Sequence, residues 1–136
     1  SPAYLARHGT PMRLDELAAH RLIHYLPSLG GRPAGFEYVD AQGVRQSLRM
    51  PAALTVNATF AYEAACLAGL GIIQVPRVGM RGHLAAGRLV EILPAFIAPP
   101  MPISLLYANR RHLPRRVQAF MQWLAALLAE RLREAS

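Results

Sequence analysis

A single stretch decides the fold class: LTVNATFAYEAACLAGLGIIQV, Leu54–Val75. Its first residues, Leu54–Asn57, predict a short strand, and the alanine-rich run Thr59–Ala68 predicts a helix. Gly69 supplies the left-handed residue that commonly ends a helix, and Gly71–Val75 predicts a second strand. A strand, a helix and a strand joined by short turns form a βαβ crossover, so we expect parallel pairing and an α/β fold.

Short elements are predicted on both sides of this unit, from turn residues, proline positions and the period of the apolar residues. Before it, we expect helices at Pro2–His8 and Asp15–His20, a strand at Arg21–Leu26, a loop at Ser28–Gly35, and a hairpin of strands Phe36–Asp40 and Val44–Met50. After it, we expect a helix at Gly82–Ala86, strands at Arg88–Leu93 and Ile103–Ala108, and an amphipathic helix at Pro114–Glu134. The helix of the central unit should lie close to its neighbour through small side chains: Ala61, Ala64, Ala65 and Ala68.

Composition limits the class of protein. The chain has 136 residues, of which 53% are apolar and 17% charged, which is typical of one folded domain and excludes a disordered chain. All 15 basic residues are arginine, and with 8 acids they give a net charge of +7. This charge suits an acidic ligand or nearby nucleic acid, and a coding bias explains it equally well. The single cysteine excludes a disulfide framework.

Neither a membrane span nor a signal peptide is predicted. The longest stretch without a charged side chain, Ile92–Asn109, contains four prolines, which a continuous helix would not tolerate. The chain begins at Ser1-Pro2 with no initiating methionine and no apolar leader. We therefore expect it to be processed or to be a piece of a longer protein.

The strand ends of the βαβ unit are the candidate binding site. In an open parallel sheet, ligands bind at the carboxyl ends of the strands, where helices begin, and free N–H groups at a helix start favour an anion. Asn57 and Thr59 can instead serve only as helix caps, an alternative that the sequence leaves open. The predicted site residues are Asn57, Ala58, Thr59, Phe60, Val75 and Pro76.

We expect no metal, no cofactor and no catalytic site. His20 and His24 have the spacing of two metal ligands on a helix, but they fall on a predicted strand, where they lie too far apart for one ion. Cys66 is expected to be a small buried side chain, with a redox-sensor role as the alternative. No serine has a G-x-S-x-G setting, and the acidic residues are scattered.

The terminal helix carries more apolar side chains than a short chain can cover. Seven of them recur at helical spacing: Val117, Phe120, Met121, Leu124, Leu127, Leu128 and Leu132. The arginines that precede and begin the helix, Arg110, Arg111, Arg115 and Arg116, could meet the acids of a partner or DNA phosphate, or form a solvated turn. We expect two chains to exchange Ile103–Ala108 and this helix in a symmetric dimer, with a fold-back onto the same chain as the alternative.

Several segments in order resemble the effector-binding (substrate-binding) domain of LysR-type transcriptional regulators. The segments are Ser1-Pro2-Ala3-Tyr4-Leu5 with Gly9, Asp15–His20 (DELAAH), Val56-Asn57, Ala64–Ile73 (AACLAGLGII), Val75-Pro76, Leu84–Leu93 (LAAGRLVEIL), Leu106-Tyr107 and Arg116–Leu124 (RVQAFMQWL). Each segment is weak evidence by itself, but the ordered set covers nearly the whole chain and is specific.

The resemblance implies a periplasmic-binding-protein-like (type II) α/β fold of two lobes with a mixed sheet and flanking helices, the first lobe being truncated here. Residues 1–93 would form the second lobe, 94–102 the crossover, and 103–136 the returning strand and terminal helix of the first lobe. The hinge would involve Ser1, Pro2, Pro99, Pro100 and Pro102. Asn57–Phe60 and Val75-Pro76 match the family's effector pocket, which suggests a small organic anion as the effector.

The implied function is regulation of transcription in the bacterial cytoplasm, by a homo-oligomer that binds promoter DNA through a helix-turn-helix domain absent from this chain. Three alternatives stay open. A solute-binding protein of a transporter has the same fold and would carry an export signal. An enzyme on this fold would need a catalytic set, and a self-associating fragment would bind no ligand. The complete coding sequence would distinguish the first two.

Overall fold

The computed structural model describes residues 1–28, 30–106 and 114–135, and the side chains of residues 1–28, 30–106 and 114–131. The described residues fall into two compact units that meet in sequence between Pro99 and Pro100. In chain order the elements are α1 (Pro2–His8), a 3₁₀ helix (Asp15–Ala19), β1 (Leu22–Tyr25), β2 (Phe36–Val39), β3 (Arg45–Leu48), β4 (Ala52–Val56), α2 (Thr59–Leu67), α3 (Arg77–Ala85) and α4 (Arg115–Ala135).

The centre of the first unit is β1, which lies in parallel between the two strand segments of the predicted βαβ unit. β1 pairs with β4 in parallel, with Tyr25 opposite Val56 at their carboxyl ends. On the other side of β1, Ile72 forms a parallel bridge with Leu22, and its carbonyl accepts from the Ile23 amide at 2.9 Å. The chain therefore crosses from β4 over β1 through α2, which confirms the predicted crossover.

The predicted second strand, Gly71–Val75, is reduced to the single bridge at Ile72. The reason lies in Gln74, whose backbone groups do not pair with a strand. Its amide donates to the Tyr62 hydroxyl at 3.1 Å, and its carbonyl accepts from the same hydroxyl at 3.4 Å. A side chain of α2 thus takes the place that a ladder partner would have.

β2 and β3 form the predicted antiparallel hairpin, with Phe36 opposite Leu48. One side chain organises its turn, because the Asp40 carboxylate accepts from the amides of Gln42 (3.0 Å) and Val44 (2.8 Å). A hydrogen bond from the Gln46 side chain, together with the one from the Val44 amide, lowers the pKa of Asp40.

The core lies on both sides of β1, because successive residues of a strand point to opposite faces. Leu22 belongs to one buried cluster, together with Tyr4, Leu17, Phe36, Met50, Ile72 and Leu93. Ile23 belongs to the other, together with Tyr62, Ala65, Cys66 and Leu89. The second cluster corrects the predicted face of α2: Ala64 and Ala68 are exposed, and Tyr62 and Cys66 are buried instead. The physical reason is that burying the large ring of Tyr62 removes more apolar surface from water than burying an alanine does.

The predictions for the other helices and for Gly69 agree closely with the structure. Helix α1 has its predicted bounds, and Gly9 follows it at φ 82°. The segment Asp15–Ala19 is helical, but of the tighter 3₁₀ type. Gly69 has φ 75°, the left-handed conformation expected after α2. The long terminal helix is confirmed as α4.

Two further predictions, both for the segment after α2, are wrong. The helix expected at Gly82–Ala86 begins earlier, at Arg77, directly after Pro76. The strand expected at Arg88–Leu93 is absent: the amides of Arg88 and Leu89 both donate to the His83 carbonyl at the end of α3, and buried Leu93 has a left-handed φ of 51°. Both features are incompatible with an extended strand.

The strand expected at Ile103–Ala108 is also absent where the chain is described, since residues 103–106 form no strand. Residues 107 and 108 lie outside the described residues, as do Arg110 and Arg111. The boundary between the two units falls within the predicted crossover, residues 94–102. Of the predicted hinge residues, Ser1 precedes α1 and Pro2 begins it; Pro99 is half-buried, and Pro100 and Pro102 are exposed. Their hinge role stays a prediction.

Candidate functional site

The predicted site lies at the carboxyl edge of the parallel strands. β1 ends at Tyr25 and β4 at Val56, and the pairing extends one step further because the Leu26 amide donates to the Val56 carbonyl at 2.8 Å. Asn57 and Ala58 then connect β4 to α2. Since parallel strands end at the same edge, the segment that leads from Ile72 to Val75 also ends there.

The start of α2 carries no side-chain cap, which corrects one role considered for Asn57 and Thr59. The N-cap position falls on Ala58, which has an extended backbone (φ −123°, ψ 133°) and no side-chain acceptor. The first helical bond runs from the Tyr62 amide to the Ala58 carbonyl at 3.0 Å. The amides before it have no partner within the helix, so this end of α2 offers donors to an acceptor from outside.

A second helix begins at the same edge, and its start was not predicted from the sequence. Pro76 is the N-cap of α3, and no side chain caps this helix either. The Gly79 amide donates to the Pro76 carbonyl at 3.1 Å, which closes the first turn. The signal in the sequence was Pro76 itself, because proline is favoured at helix starts. Gly79 and Gly82 lie within this helix, and because glycine disfavours helical structure, the sequence predicted a later start.

The predicted site residues differ in their exposure. Asn57, Thr59 and Pro76 are exposed, whereas Ala58 and Val75 are half-buried. Phe60 is 77% exposed. The polar atoms that the sequence analysis selected are therefore accessible to a ligand, and the backbone between them is partly covered by the fold.

A hydrogen-bond network supports this edge from inside. The side chain of Gln74 bonds to β2 as a strand would: its Oε1 accepts from the Glu37 amide at 2.9 Å, and its Nε2 donates to the Glu37 carbonyl at 2.6 Å. The Tyr62 hydroxyl bonds to the backbone of the same Gln74. This network joins α2, the hairpin and the segment before Val75, and no pattern in the sequence predicted it.

Burial raises the pKa of Tyr62, so its phenol keeps the proton that it donates to the Gln74 carbonyl. The ring of Tyr62 also contacts the ring of Tyr25 at the end of β1, with centroids 5.7 Å apart. Tyr25 is 38% exposed, so it presents an aromatic surface at the same edge.

A second polar link joins α2 to α3. His83 Nδ1 accepts from Arg88 Nε at 2.9 Å, so Nε2 carries the hydrogen and donates to Glu63 at 2.5 Å. Glu63 lies on α2 and His83 near the end of α3. This link fixes the second helix of the edge relative to the first.

The remaining candidate residues lie apart from this edge. His20 is 4% exposed, and burial together with the nearby His8 lowers its pKa. Cys66 is buried, as predicted, and burial raises the pKa of its thiol. Among the described residues, no three histidine, cysteine, aspartate or glutamate side chains are close enough to hold a metal ion. No helix of the described part of the chain is long and apolar enough to cross a bilayer.

Comparison with known proteins identifies the family. The LysR substrate binding domain family model matches residues 1–129. The uncharacterized HTH-type transcriptional regulator YhjC of Escherichia coli (strain K12) is 49% identical over 132 residues, which are 97% of this chain and 44% of that protein. This chain therefore belongs to the LysR substrate-binding domain family.

Solved structures agree with this assignment. The full-length virulence activator AphB of Vibrio cholerae matches with a TM-score of 0.74 and 28% identity, over 93% of this chain and 42% of that one. The regulatory domain of AphB from Vibrio vulnificus matches with a TM-score of 0.65 and 32% identity, over 93% and 61%. The periplasmic-binding-protein-like α/β fold is thereby confirmed. The chain spans less than half the length of the curated relatives, which are transcriptional regulators rather than enzymes.

Proposed function

We propose that this chain is the effector-sensing region of a LysR-type transcriptional regulator. The observation that carries the proposal is the family match over residues 1–129, together with relatives that are regulators of transcription. The accessible carboxyl edge of the parallel strands supports it, because this is the edge where proteins with open α/β sheets bind small ligands.

The effector is a small organic anion, and its site comprises Asn57, Ala58, Thr59, Phe60, Val75 and Pro76. Two helices begin at this edge without a side-chain cap, and helix N-termini attract negative charge through free amides and the helix dipole. The net charge of +7 favours the same sign of ligand.

The proposal includes partners outside this chain. Residues 1–93 form the second lobe, 94–102 the crossover with the hinge residues, and the effector binds between this lobe and the rest of the first lobe. Effector binding shifts a homo-oligomer between arrangements on promoter DNA in the cytoplasm, as a shift between existing states. DNA is bound through a helix-turn-helix domain elsewhere in the polypeptide. The alternative of a transporter's solute-binding protein is not favoured, because the relatives are regulators.

The proposal can be tested in two steps on the complete regulator. A panel of organic mono- and dicarboxylates is first screened for a rise in melting temperature, and the acid that raises it is titrated in a promoter-binding assay. Thr59→Val should then weaken the response about tenfold, the usual cost of losing one hydrogen bond to a charged group, and leave DNA binding unchanged.

The matched control is Thr10→Val, because Thr10 is also exposed but lies before the 3₁₀ helix, away from this edge. An unchanged response of the Thr59 variant removes that residue from the site. If no carboxylate in the panel raises the melting temperature of the complete regulator, the effector is not of this class.

A further inference from the structure

We propose that Gln74 is a positioning residue of the effector edge and that it couples this edge, through β2, to the crossover, residues 94–102. The effector edge is the carboxyl edge of β1 and β4, where α2 and α3 begin. The roles of the edge and of the crossover rest on the proposed function. The coupling itself consists of contacts within the first unit and does not depend on which effector binds.

The coupling is built on the outer edge of β2. In an antiparallel pair, alternate residues direct their backbone groups toward the partner strand and away from it. The Glu37 amide and carbonyl and the Val39 amide bond to groups outside the hairpin, so these two residues form the outer edge of β2. Such an edge is a row of donors and acceptors that other segments can bind. Two separate segments of the chain bind this one.

Gln74 binds the first position of the outer edge with its side-chain amide. Its Oε1 accepts from the Glu37 amide at 2.9 Å, and its Nε2 donates to the Glu37 carbonyl at 2.6 Å. A primary amide reproduces the donor and acceptor of a neighbouring strand, which an aliphatic or a charged side chain does not. Gln74 is followed directly by Val75 and Pro76, which belong to the proposed site and lead into α3.

The crossover binds the next position of the same edge. The Val39 amide donates to the Ile97 carbonyl at 3.0 Å. The ring of Tyr38 contacts the ring of Phe96 edge to face, with centroids 5.7 Å apart. Tyr38 and Phe96 also pack against the buried cluster that contains Leu22. A backbone hydrogen bond and a ring contact therefore join the crossover to β2.

The two segments lie next to each other on β2, because Glu37 and Val39 are two residues apart on one strand, a spacing of about 7 Å. The backbone of Gln74 is also joined to α2, since the Tyr62 hydroxyl bonds to its amide and its carbonyl. An effector that shifts Val75-Pro76 therefore shifts Gln74. Through Glu37, this shift reaches the strand that binds the crossover.

Amide hydrogen exchange on the complete regulator tests the coupling without an effector. Gln74→Met keeps the length of the side chain and removes both of its hydrogen bonds, so the Glu37 amide should exchange faster. If β2 couples the two segments, the Val39 amide should also exchange about tenfold faster, because the outer edge opens as one unit. Acceleration confined to Glu37 would show that Gln74 only satisfies its own partner, and it would overturn the proposal.

The matched control is Gln42→Met, the same substitution at an exposed position in the turn of the same hairpin. It should leave the exchange rate of Val39 unchanged. Equal acceleration by Gln42→Met and Gln74→Met would indicate a general loosening of the hairpin and would contradict the coupling.

Gln74→Glu gives a reversible form of the same test, which remains available if Gln74→Met does not fold. At neutral pH the introduced carboxylate accepts from the Glu37 amide but has no hydrogen for the Glu37 carbonyl, so Val39 should exchange faster. At low pH the protonated carboxyl offers one donor and one acceptor, as the amide does. Exchange at Val39 should then return to the rate of the original regulator at the same pH. Faster exchange that persists at low pH would overturn the role of the hydrogen-bond pattern.

The last measurement uses the carboxylate of the panel that raises the melting temperature of the complete regulator. It should change the exchange rate of Val39 by about fivefold or more. Gln74→Met should abolish this change while the carboxylate still raises the melting temperature. A change that persists in the variant would overturn the coupling. If no carboxylate raises the melting temperature, the proposed effector class is wrong, and the comparison without effector still decides the coupling.

Discussion

Two helices of equal length begin at the proposed effector edge, and they are held in place differently. Helix α2 buries Tyr62, Ala65 and Cys66, whereas α3 contributes no fully buried residue and packs on the same cluster through half-buried Met80 and Leu84. Hydrophobic burial therefore stabilises α2, and partial packing with the Glu63–His83 link positions α3.

The difference suggests how the edge can respond to a ligand. A helix packed by three buried side chains is a rigid frame, since most helical stability in proteins comes from tertiary packing. A helix with little burial opens at lower cost in free energy. We expect α2 to hold its position and α3 to be the element whose position an effector changes. Three predictions test the underlying difference in how the two helices are stabilised, from the largest expected effect to the smallest.

Removing the Tyr62 hydroxyl should cause the largest loss. Tyr62→Phe leaves the Gln74 amide and carbonyl without their partner, which should lower the free energy of unfolding by about 1–3 kcal/mol. Chemical denaturation measures this change. Tyr25→Phe is the control, because its ring contacts Tyr62 and its hydroxyl bonds to no other described residue. Equal losses for the two variants would show that the network does not stabilise α2.

Alkaline pH should weaken the packing of α2 in the core. Burial raises the folded-state pKa of the Cys66 thiol above its ordinary value of 9.0. A raised folded pKa means that the unfolded chain loses the proton first, so this contribution is complete below pH 9 and is lost as pH rises through the folded pKa. The melting temperature should therefore fall above pH 9, and Cys66→Ala should flatten that slope. An equally steep slope in the variant would assign the effect to other groups.

A pair of glycine substitutions gives the smallest effects, of opposite sign. Gly79 lies within α3 with free space around it, so Gly79→Ala should stabilise the protein by about 0.5–1 kcal/mol. Gly69 follows α2 at φ 75°, and an added Cβ would meet Arg7 Nη2 at 2.9 Å, so Gly69→Ala should destabilise by about 1 kcal/mol. Melting temperatures measure both variants. Destabilisation by Gly79→Ala would mean that α3 is not a regular helix in solution.

Local patterns were sufficient for the elements whose signals lie in their own residues. Proline at the first turn and glycine after the last define α1, and alternation around a glycine turn defines the hairpin. The strand, helix and glycine order of Leu54–Gly69 was also predictable, and so was the long helix α4. In each case the hydrogen bonds and apolar period belong to one short segment, so no distant residue is needed to choose the structure.

Only the tertiary structure decided the features that depend on distant partners. The hydroxyl of Tyr62 takes the backbone groups of Gln74, which limits the second strand to Ile72. The same side chain is buried in the core. The buried face of α2 therefore lies about one residue away from the predicted face. The amides of Arg88 and Leu89 bond to the end of α3 and exclude a strand there. In each case, alternative partners compete for the same backbone group or the same core volume. A sequence pattern describes each segment by itself and contains no information on the competing segment.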